Sequence, residues 1–477
     1  MLFSRSLAPA TLLGVLAFAL VSLAQAQFET RASFHVSGAD PYSLVVGDFN
    51  RDGIPDVAVV GSVHNTAGSV EIWFGNGDGT FRSGSSYPLA DPSFFGASAS
   101  LRHNGLLDLV VVPYGGHDVY VLLGNGDGTF QPAVSYPTGT GDIMVAIGDF
   151  TGDGKVDVAV LEGVFCNCVE VLPGNGDGTL GAAITTPLPF NMAGYAMVAG
   201  DFNNDGRLDV AVSGAGQTSL VAILLGNGDG AFAVGGAYAV GDQPESIATG
   251  FFTSDNKKID LVVGNEEGGS LSVLLGNGDG TFQRSVYYDT QFPLVVVAQD
   301  LNGDGKTDLA AANALFPSGV TVFRGNGDGT FQPGVFYPAG KEGNYVAVAD
   351  FNRDGRPDLV TVDNDYGLIT TLLNTGVVSF SPTTPLNFKN QPVGTTSAAQ
   401  TVTLTNTGST ELKIQSMKAS PEFAMTSTCG ARVAPGAKCQ ISATFSPTKQ
   451  GPQTGTITII DNASSKPQVI ELLGTGT

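Results

Sequence analysis

The sequence predicts an all-β chain, a seven-bladed β-propeller followed by an immunoglobulin-like β-sandwich, and three observations carry that expectation. Short runs of strand-forming residues are punctuated by Gly, Asn, Asp and Pro, with 65 glycines and only 14% charged residues in 477, against a usual charged share of about 25%. Two short strings recur together at steps of about fifty residues until about residue 376. Beyond that point the recurrence stops, and a strict two-residue alternation of apolar and polar side chains replaces it. Helical bundles and α/β enzyme folds are excluded, because helix formers are scarce outside the first two dozen residues.

The first residues read as a separate object. Arg5 gives a positive start, Leu7 to Leu23 is apolar, and Ala24-Gln25-Ala26 offers a small-x-small cleavage pattern, so residues 1–26 are expected to be an export signal and Gln27 the mature terminus. A retained membrane anchor is the competing reading, disfavoured by the cleavage pattern and by an apolar run near the lower length limit for spanning. The residue directly after the site is Gln27 and not a cysteine, so lipid anchoring is not indicated, and no comparable apolar run follows. The expectation is therefore a secreted, periplasmic or cell-surface protein with no membrane insertion after signal removal.

The string Gly-Asn-Gly-Asp-Gly-Thr-Phe, or a near variant, starts at Gly75, Gly124, Gly174, Gly226, Gly276 and Gly325. A second, Asp48 to Asp56 in its first copy, ends at Asp56, Asp108, Asp157, Asp209, Asp260, Asp308 and Asp358, which makes seven units. Within the first unit, Ser43 to Val46 precedes the acidic string and Val57 to Val60 follows it. Val70 to Phe74 enters the Gly-Asn-Gly-Asp-Gly turn, and Phe81 to Tyr87 leaves it. Asn-Gly and Asp-Gly between apolar runs are strong hairpin signals because both tolerate positive φ. Four strands per unit, seven times over, specify a propeller over residues 27–376. The last unit stops after its third strand, and Phe28 to Val36 resembles a fourth strand with no unit before it. That N-terminal strand is expected to complete the seventh blade and close the ring; an open solenoid is the alternative.

The acidic strings read as calcium loops. Asp48, Asn50, Asp52 and Asp56 place oxygen-bearing side chains at positions 1, 3, 5 and 9, Gly53 allows the sharp turn, and the carbonyl of Ile54 at position 7 faces inward. That set supplies the oxygens calcium takes. It recurs as Asp149, Thr151, Asp153, Lys155 and Asp157; as Asp201, Asn203, Asp205, Arg207 and Asp209; as Asp300, Asn302, Asp304, Lys306 and Asp308; and as Asp350, Asn352, Asp354, Arg356 and Asp358. Turn capping by Asp and Asn is the plainer reading, but it does not account for the fixed carboxylate at position 9. Magnesium fits less well, since it demands a stricter octahedron. The second copy holds Ser100, Arg102, Asn104 and Asp108, and the fifth holds Phe251, Lys257 and Lys258 before Asp260. About five calcium ions are expected, with the basic side chains of those two copies pairing with Asp108 and Asp260. The Gly-Asn-Gly-Asp-Gly strings, with one carboxylate each, are read as turns.

These loops, with Phe49, Phe150, Phe202 and Phe351 at the second position, resemble FG-GAP (VCBS-type) repeats, the units of the integrin α-subunit propeller and of many exported bacterial proteins. The resemblance covers roughly residues 28–376. It implies calcium on one propeller face and ligands or partners on the other. The tail, with Leu386-Asn387-Phe388, Thr405-Asn406-Thr407-Gly408, Phe445-Ser446-Pro447 and Gly474-Thr475-Gly476, is similar to the ASPM-SPD-2-Hydin or choice-of-anchor type of immunoglobulin-like domain. Unlike anchored relatives, the chain shows no sorting tail.

In that tail Val402 and Leu404, Ile441, Ala443 and Phe445, and Ile457 and Ile459 alternate with Ser or Thr, the pattern of half-buried antiparallel strands. Residues 377–385 are expected as a linker and 386–477 as the sandwich. Cys429 and Cys439 flank a Pro-Gly turn and are expected to be bridged, a contribution of roughly 2 to 3 kcal/mol. Cys166 and Cys168 stay open between a tight bridge and a free pair.

No catalytic signature is present. His35, His64, His103 and His117 show no metalloprotease spacing, and the chain has neither a G-x-S-x-G elbow nor a phosphate loop. A net charge of -22 repels nucleic acid and anionic membranes. The loops between the second and third strands differ from unit to unit, and varied loops suit recognition. Tyr114, His117 and Tyr366 are the candidates on that face. The expected function is an exported calcium-binding module for extracellular protein or glycan ligands. A propeller-based polysaccharide lyase or hydrolase, or an architectural envelope component, is the alternative.

Overall fold

In a computed structural model each fifty-residue unit folds as a four-stranded antiparallel sheet. The first unit's strands are Asp40–Gly47, Asp56–Val63, Ala67–Gly75 and Phe81–Leu89, hydrogen-bonded in chain order. The structure describes residues 27–477 apart from 37–39, 64–65, 114, 140, 164–165, 256, 303–304, 315–316, 341–342, 375–377, 382–384, 407–410, 435 and 463–466. The expected export signal, His64, Tyr114 and Asp304 therefore lie outside the described residues. Among the described residues no helix is long and apolar enough to cross a membrane.

Among the described residues between Phe28 and Asn374 there are seven such sheets. Phe28–His35 pairs antiparallel with Leu368–Asn374 and supplies the outer strand of the last sheet, as the chain arithmetic predicts. The innermost strand of each sheet touches that of the next: Asp40–Gly47 contacts Ser93–Ala99 on one side and Gly343–Ala349 on the other. The chain thus makes a closed β-propeller, in which closure removes the open edge that a solenoid would leave.

Burial follows strand position. Asp108–Pro113 and Asp157–Glu162 are buried along their whole length, being covered by a neighbouring sheet on each face. Outer strands such as Val134–Pro137 are largely exposed. The apolar clusters lie between neighbouring sheets: Val60, Val70 and Ile72 of the first pack with Leu109, Val111 and Leu122 of the second. Every innermost strand also carries a register shift near its start, between Pro41 and Ser43 in the first sheet and at the equivalent place in the other six. A bulge of this kind inserts one residue and re-aims its side chain.

The tail is a two-sheet sandwich. Val378–Ser381, Gln400–Asn406, Lys438–Phe445 and Phe423–Ser427 form one sheet; Leu386–Gln391, Gln468–Gly476, Gly451–Asp461, Leu412–Ala419 and Arg432–Val433 form the other. Val402, Leu404, Ile441, Phe445, Ile457 and Ile459 lie in their shared core. Two expectations are corrected here. Val378–Ser381, inside the expected linker 377–385, is an edge strand paired with Gln400–Asn406. Not all the pairing is antiparallel either: Leu386–Gln391 runs parallel to Gln468–Gly476, because alternation reports which face a residue takes and not the direction of its partner. Cys429 and Cys439 are disulfide-bonded, as are Cys166 and Cys168.

Candidate metal-binding loops and the opposite face

The acidic loop joins the first strand of each sheet to the second, and its last aspartate opens the second strand. Asp56 is fully buried. Its Oδ2 accepts the N–H of Phe49 at 3.1 Å and its Oδ1 that of Gly75, the first residue of the Gly-Asn-Gly-Asp-Gly turn, at 3.0 Å. The pattern holds in all seven units: the first distance lies between 2.8 and 3.1 Å and the second between 2.7 and 3.0 Å. In the last unit Asn374 takes the place of the turn glycine. Position 9 is thus a cross-brace tying the loop to the end of the third strand. Turn chemistry therefore does account for this carboxylate: Asp108 braces a loop with no other acid, and Asp260 one whose first position is Phe251.

Positions 1, 3 and 5 fold over the loop's own backbone. Asp48 accepts the N–H groups of Asp52 at 3.0 Å and Gly53 at 2.9 Å, Asn50 accepts that of Asp52 at 2.9 Å, and Asp52 accepts that of Ile54 at 2.8 Å. Asp201, Asn203 and Asp205 repeat this geometry, as do Asp350, Asn352 and Asp354. Asp149 and Asp153 do so around Thr151, whose hydroxyl turns to Asp157 at 3.0 Å. In the sixth loop Asp300 accepts the N–H of Gly305 at 2.8 Å and Asn302 reaches Asp308 at 3.5 Å.

In the first, fourth and seventh loops the carboxylates strain against one another. Burial, with Asp52 adding to it, pushes Asp56 up to about 6. Burial, with Asp354 and Asp350 adding to it, pushes Asp358 up to about 8, and Asp209 is raised by burial together with Asp205 and Asp201. An all-oxygen donor set whose carboxylates repel fits a hard divalent cation such as calcium. Among the described residues, however, the acidic loops do not draw three carboxylates to within 4.8 Å of one another; the group of three ligand types that does converge is one carboxylate and two sulfurs, Glu162, Cys166 and Cys168.

Among the described residues, position 7 reaches its loop through its side chain at Lys155 and at Arg356. Lys155 Nζ lies 2.9 Å from Asp153 Oδ2. Buried Arg356 places Nη2 2.5 Å from Asp354 Oδ2 and also donates to the carbonyls of Asn374 and Asn462. In the second loop Arg102 pairs with Asp108, as expected. In the fifth the expectation fails for lysine: Lys258 Nζ lies 4.0 Å from Asp255 instead, while Asp260 is satisfied by backbone N–H groups. Phe251, standing where other loops place their first carboxylate, lines an open cleft of about 360 Å³ with Gln299 and Asp300.

The Gly-Asn-Gly-Asp-Gly strings are turns, with Asp78 accepting both the N–H and the hydroxyl of Thr80. They also clasp the neighbouring blade, which the sequence did not reveal. Gly128 N donates to Phe49 O at 3.0 Å, and the same bond joins Gly79 to Phe351, Gly230 to Phe150, Gly280 to Phe202 and Gly329 to Phe252. Beside it, Phe49 meets Phe130 edge-on at 5.6 Å, and Phe351 meets Phe81 at 5.4 Å. Where position 2 is Leu101, the facing turn carries Leu180 in the same cluster.

The opposite face is built differently. His117 is exposed, with Nδ1 3.2 Å from Gly139 O, and Tyr366 is 45% exposed, its N–H donating to Asp363. The inserted residue of each inner-strand bulge belongs to this end, and it changes from sheet to sheet: Tyr42, Phe94, Ile143 and Tyr195 in the first four, Glu245, Leu294 and Asn344 in the rest. Tyr42 and Phe94 stack at 3.8 Å between neighbouring sheets. Glu245 is raised by burial, with Glu266 adding to it.

Comparison with known proteins agrees with this division of the chain. The model of the FG-GAP-like repeat matches residues 48–102, 101–160, 167–212, 252–311 and 300–361, and that of the ASPM-SPD-2-Hydin (ASH) domain matches 375–469. No curated protein matches the chain. Among solved structures, the BP39L lectin of Burkholderia pseudomallei is similar at TM-score 0.51 and 17% identity, covering 70% of this chain and 96% of the lectin. The periplasmic gluconolactonase PpgL of Pseudomonas aeruginosa is similar at TM-score 0.48 and 17% identity, covering 63% and 86%. At 17% identity the likeness to the lectin is one of fold alone.

Proposed function

Because the chain belongs to the FG-GAP-like repeat family and ends in an ASH domain, we propose that it is an exported, calcium-binding propeller that recognises an extracellular protein or glycan. The observation that carries this reading is the contrast between the two ends of the ring. One end repeats the same brace, clasp and acidic loop from sheet to sheet. The other displays six residue types at the seven equivalent bulges, with only Tyr occurring twice, together with loops of different length. A surface under structural constraint repeats, and one that reads a ligand varies. Half-buried aromatic faces such as Tyr42 and Phe94 suit stacking on a sugar ring or an apolar side chain. Calcium would be held by positions 1, 3, 5 and 9 of the five complete loops and would neutralise their mutual repulsion.

Glycan and matrix-protein arrays, run with calcium and with chelator, test the reading. His117→Ala and Tyr366→Ala are expected to weaken any binding found at least tenfold with little change in melting temperature. Ligand protection in hydrogen exchange confined to the acidic-loop end would overturn the assignment of faces.

A further inference from the structure

The Cys166–Cys168 bridge is no staple. Its ends are two residues apart, so it closes a loop with little entropy to lose. The flanking strands Asp157–Glu162 and Cys168–Leu172 are already joined by a ladder in which Glu162 is the direct partner of Cys168. Asn167 takes φ of 48°, a left-handed conformation that Asn tolerates, and the two Cα atoms stand 5.2 Å apart, within bridging range.

The surroundings are asymmetric in a way that fits chemistry. Cys166 is exposed at the varied end of the third sheet, whereas Cys168 is fully buried. Glu162 is fully buried as well, and its Oε2 lies 3.7 Å from Cys168 Sγ. The backbone of Gly139 closes over that carboxyl, leaving no room for a side chain there: a Cβ would stand 2.3 Å from Glu162 Oε1. Although the three groups converge to within 4.8 Å, the two sulfurs are bonded to each other and offer a metal no thiolate.

We propose that Cys166–Cys168 is a thiol–disulfide exchange site whose substrate is a dithiol. The thiolate of the incoming dithiol attacks exposed Cys166 Sγ, and the bond to Cys168 breaks with its electron pair going to Cys168 Sγ. Glu162 delivers to that sulfur the proton given up by the attacking thiol. The second thiol of the substrate then attacks the mixed disulfide, closing the substrate's own disulfide and freeing Cys166, which takes the second proton from solvent. Two electrons and two protons pass from the dithiol to the Cys166–Cys168 pair. Exposed bridges are the exchange-labile ones, and a buried carboxyl beside the leaving sulfur removes the cost of expelling a thiolate into an apolar site.

The test uses the full folded chain, with dithiothreitol in one arm and a reduced two-cysteine peptide in the other. Opening is followed by alkylation and peptide mass spectrometry. Cys166–Cys168 is expected to open at least tenfold faster than Cys429–Cys439, the internal control. Glu162→Gln should slow opening about tenfold and flatten its pH profile, while Glu162→Asp, which keeps the proton, restores part of the rate. Reaction with dithiothreitol but not with the peptide supports the site and restricts its substrate to small dithiols. Opening of both bridges at one rate, or an unchanged pH profile in a folded Glu162→Gln variant, would overturn the proposal.

Discussion

Arg102 lays its guanidinium across the buried carboxylate of Asp108, Nη2 to Oδ1 at 2.5 Å, and the same nitrogen donates to the carbonyl of Gly124 at 2.6 Å. A fixed cation thus occupies the second loop, where Ser100 and Arg102 replace the carboxylate and amide of positions 1 and 3 and Asp108 is the one carboxylate left. Elemental analysis of the dialysed protein is expected to give about five calcium ions per chain, and a count near seven would contradict this. Arg102→Ala should cost about 3 kcal/mol in stability, because it leaves Asp108 buried and unpaired while the backbone brace persists. A melt within experimental error of the parent would show that the pair does not support the loop.

The clasp between neighbouring sheets gives a second expectation. Phe49→Ala opens a void against Phe130 and should cost about 3 to 5 kcal/mol. Leu101→Phe adds volume where the facing residue is Leu180 and should cost about 1 to 3 kcal/mol. If both residues contribute through this contact, Leu180→Ala made together with Leu101→Phe should recover part of the loss in a double-mutant cycle.

Repetition made the fold legible. Seven copies of a string ending in aspartate fix the number of sheets, and the unpaired segment from Phe28 reveals how the ring closes. What repetition hides is the partner. Nothing in the sequence tells that the carbonyl of Phe49 is bonded to Gly128 of the next unit, since two strings in every unit leave their pairing across units unspecified. The inner-strand bulges escaped for a related reason: one inserted residue such as Tyr42 does not disturb an apolar run with no strict alternation. Arg356 was legible only as the supplier of a carbonyl, because its side-chain partner Asn462 comes from a different domain.

That contact sets the seventh loop apart. Arg356 already holds Asp354, so an ion there would share this carboxylate with a guanidinium that also grips the tail through Asn462. As free calcium is lowered, the seventh loop is expected to empty first. Arg356→Ala should tighten that site and loosen the tail, read as faster limited proteolysis near residues 377–385. Unchanged proteolysis together with simultaneous loss of all ions would count against the coupling.

The raised aspartates fix a direction for the pH dependence of the metal-free protein. Asp56 titrates at 3.8 when free and at about 6 in the fold, and Asp358 moves from 3.8 to about 8. Between those limits the folded state holds protons that the unfolded chain has lost, so stability falls as pH rises through each window. The turn aspartates, such as Asp78 and Asp127, are lowered instead, chiefly by the hydroxyls of Thr80 and Thr129. Their windows lie below the ordinary carboxylate range and so outside the interval from pH 5 to 8. With chelator present the melting temperature should therefore be higher at pH 5 than at pH 8. Calcium favours the ionised form that burial penalises, so its stabilising effect should be larger at pH 8. Melts at the two pH values, with and without calcium, measure both differences, and a calcium effect that is equal or smaller at pH 8 would remove the loops as its source.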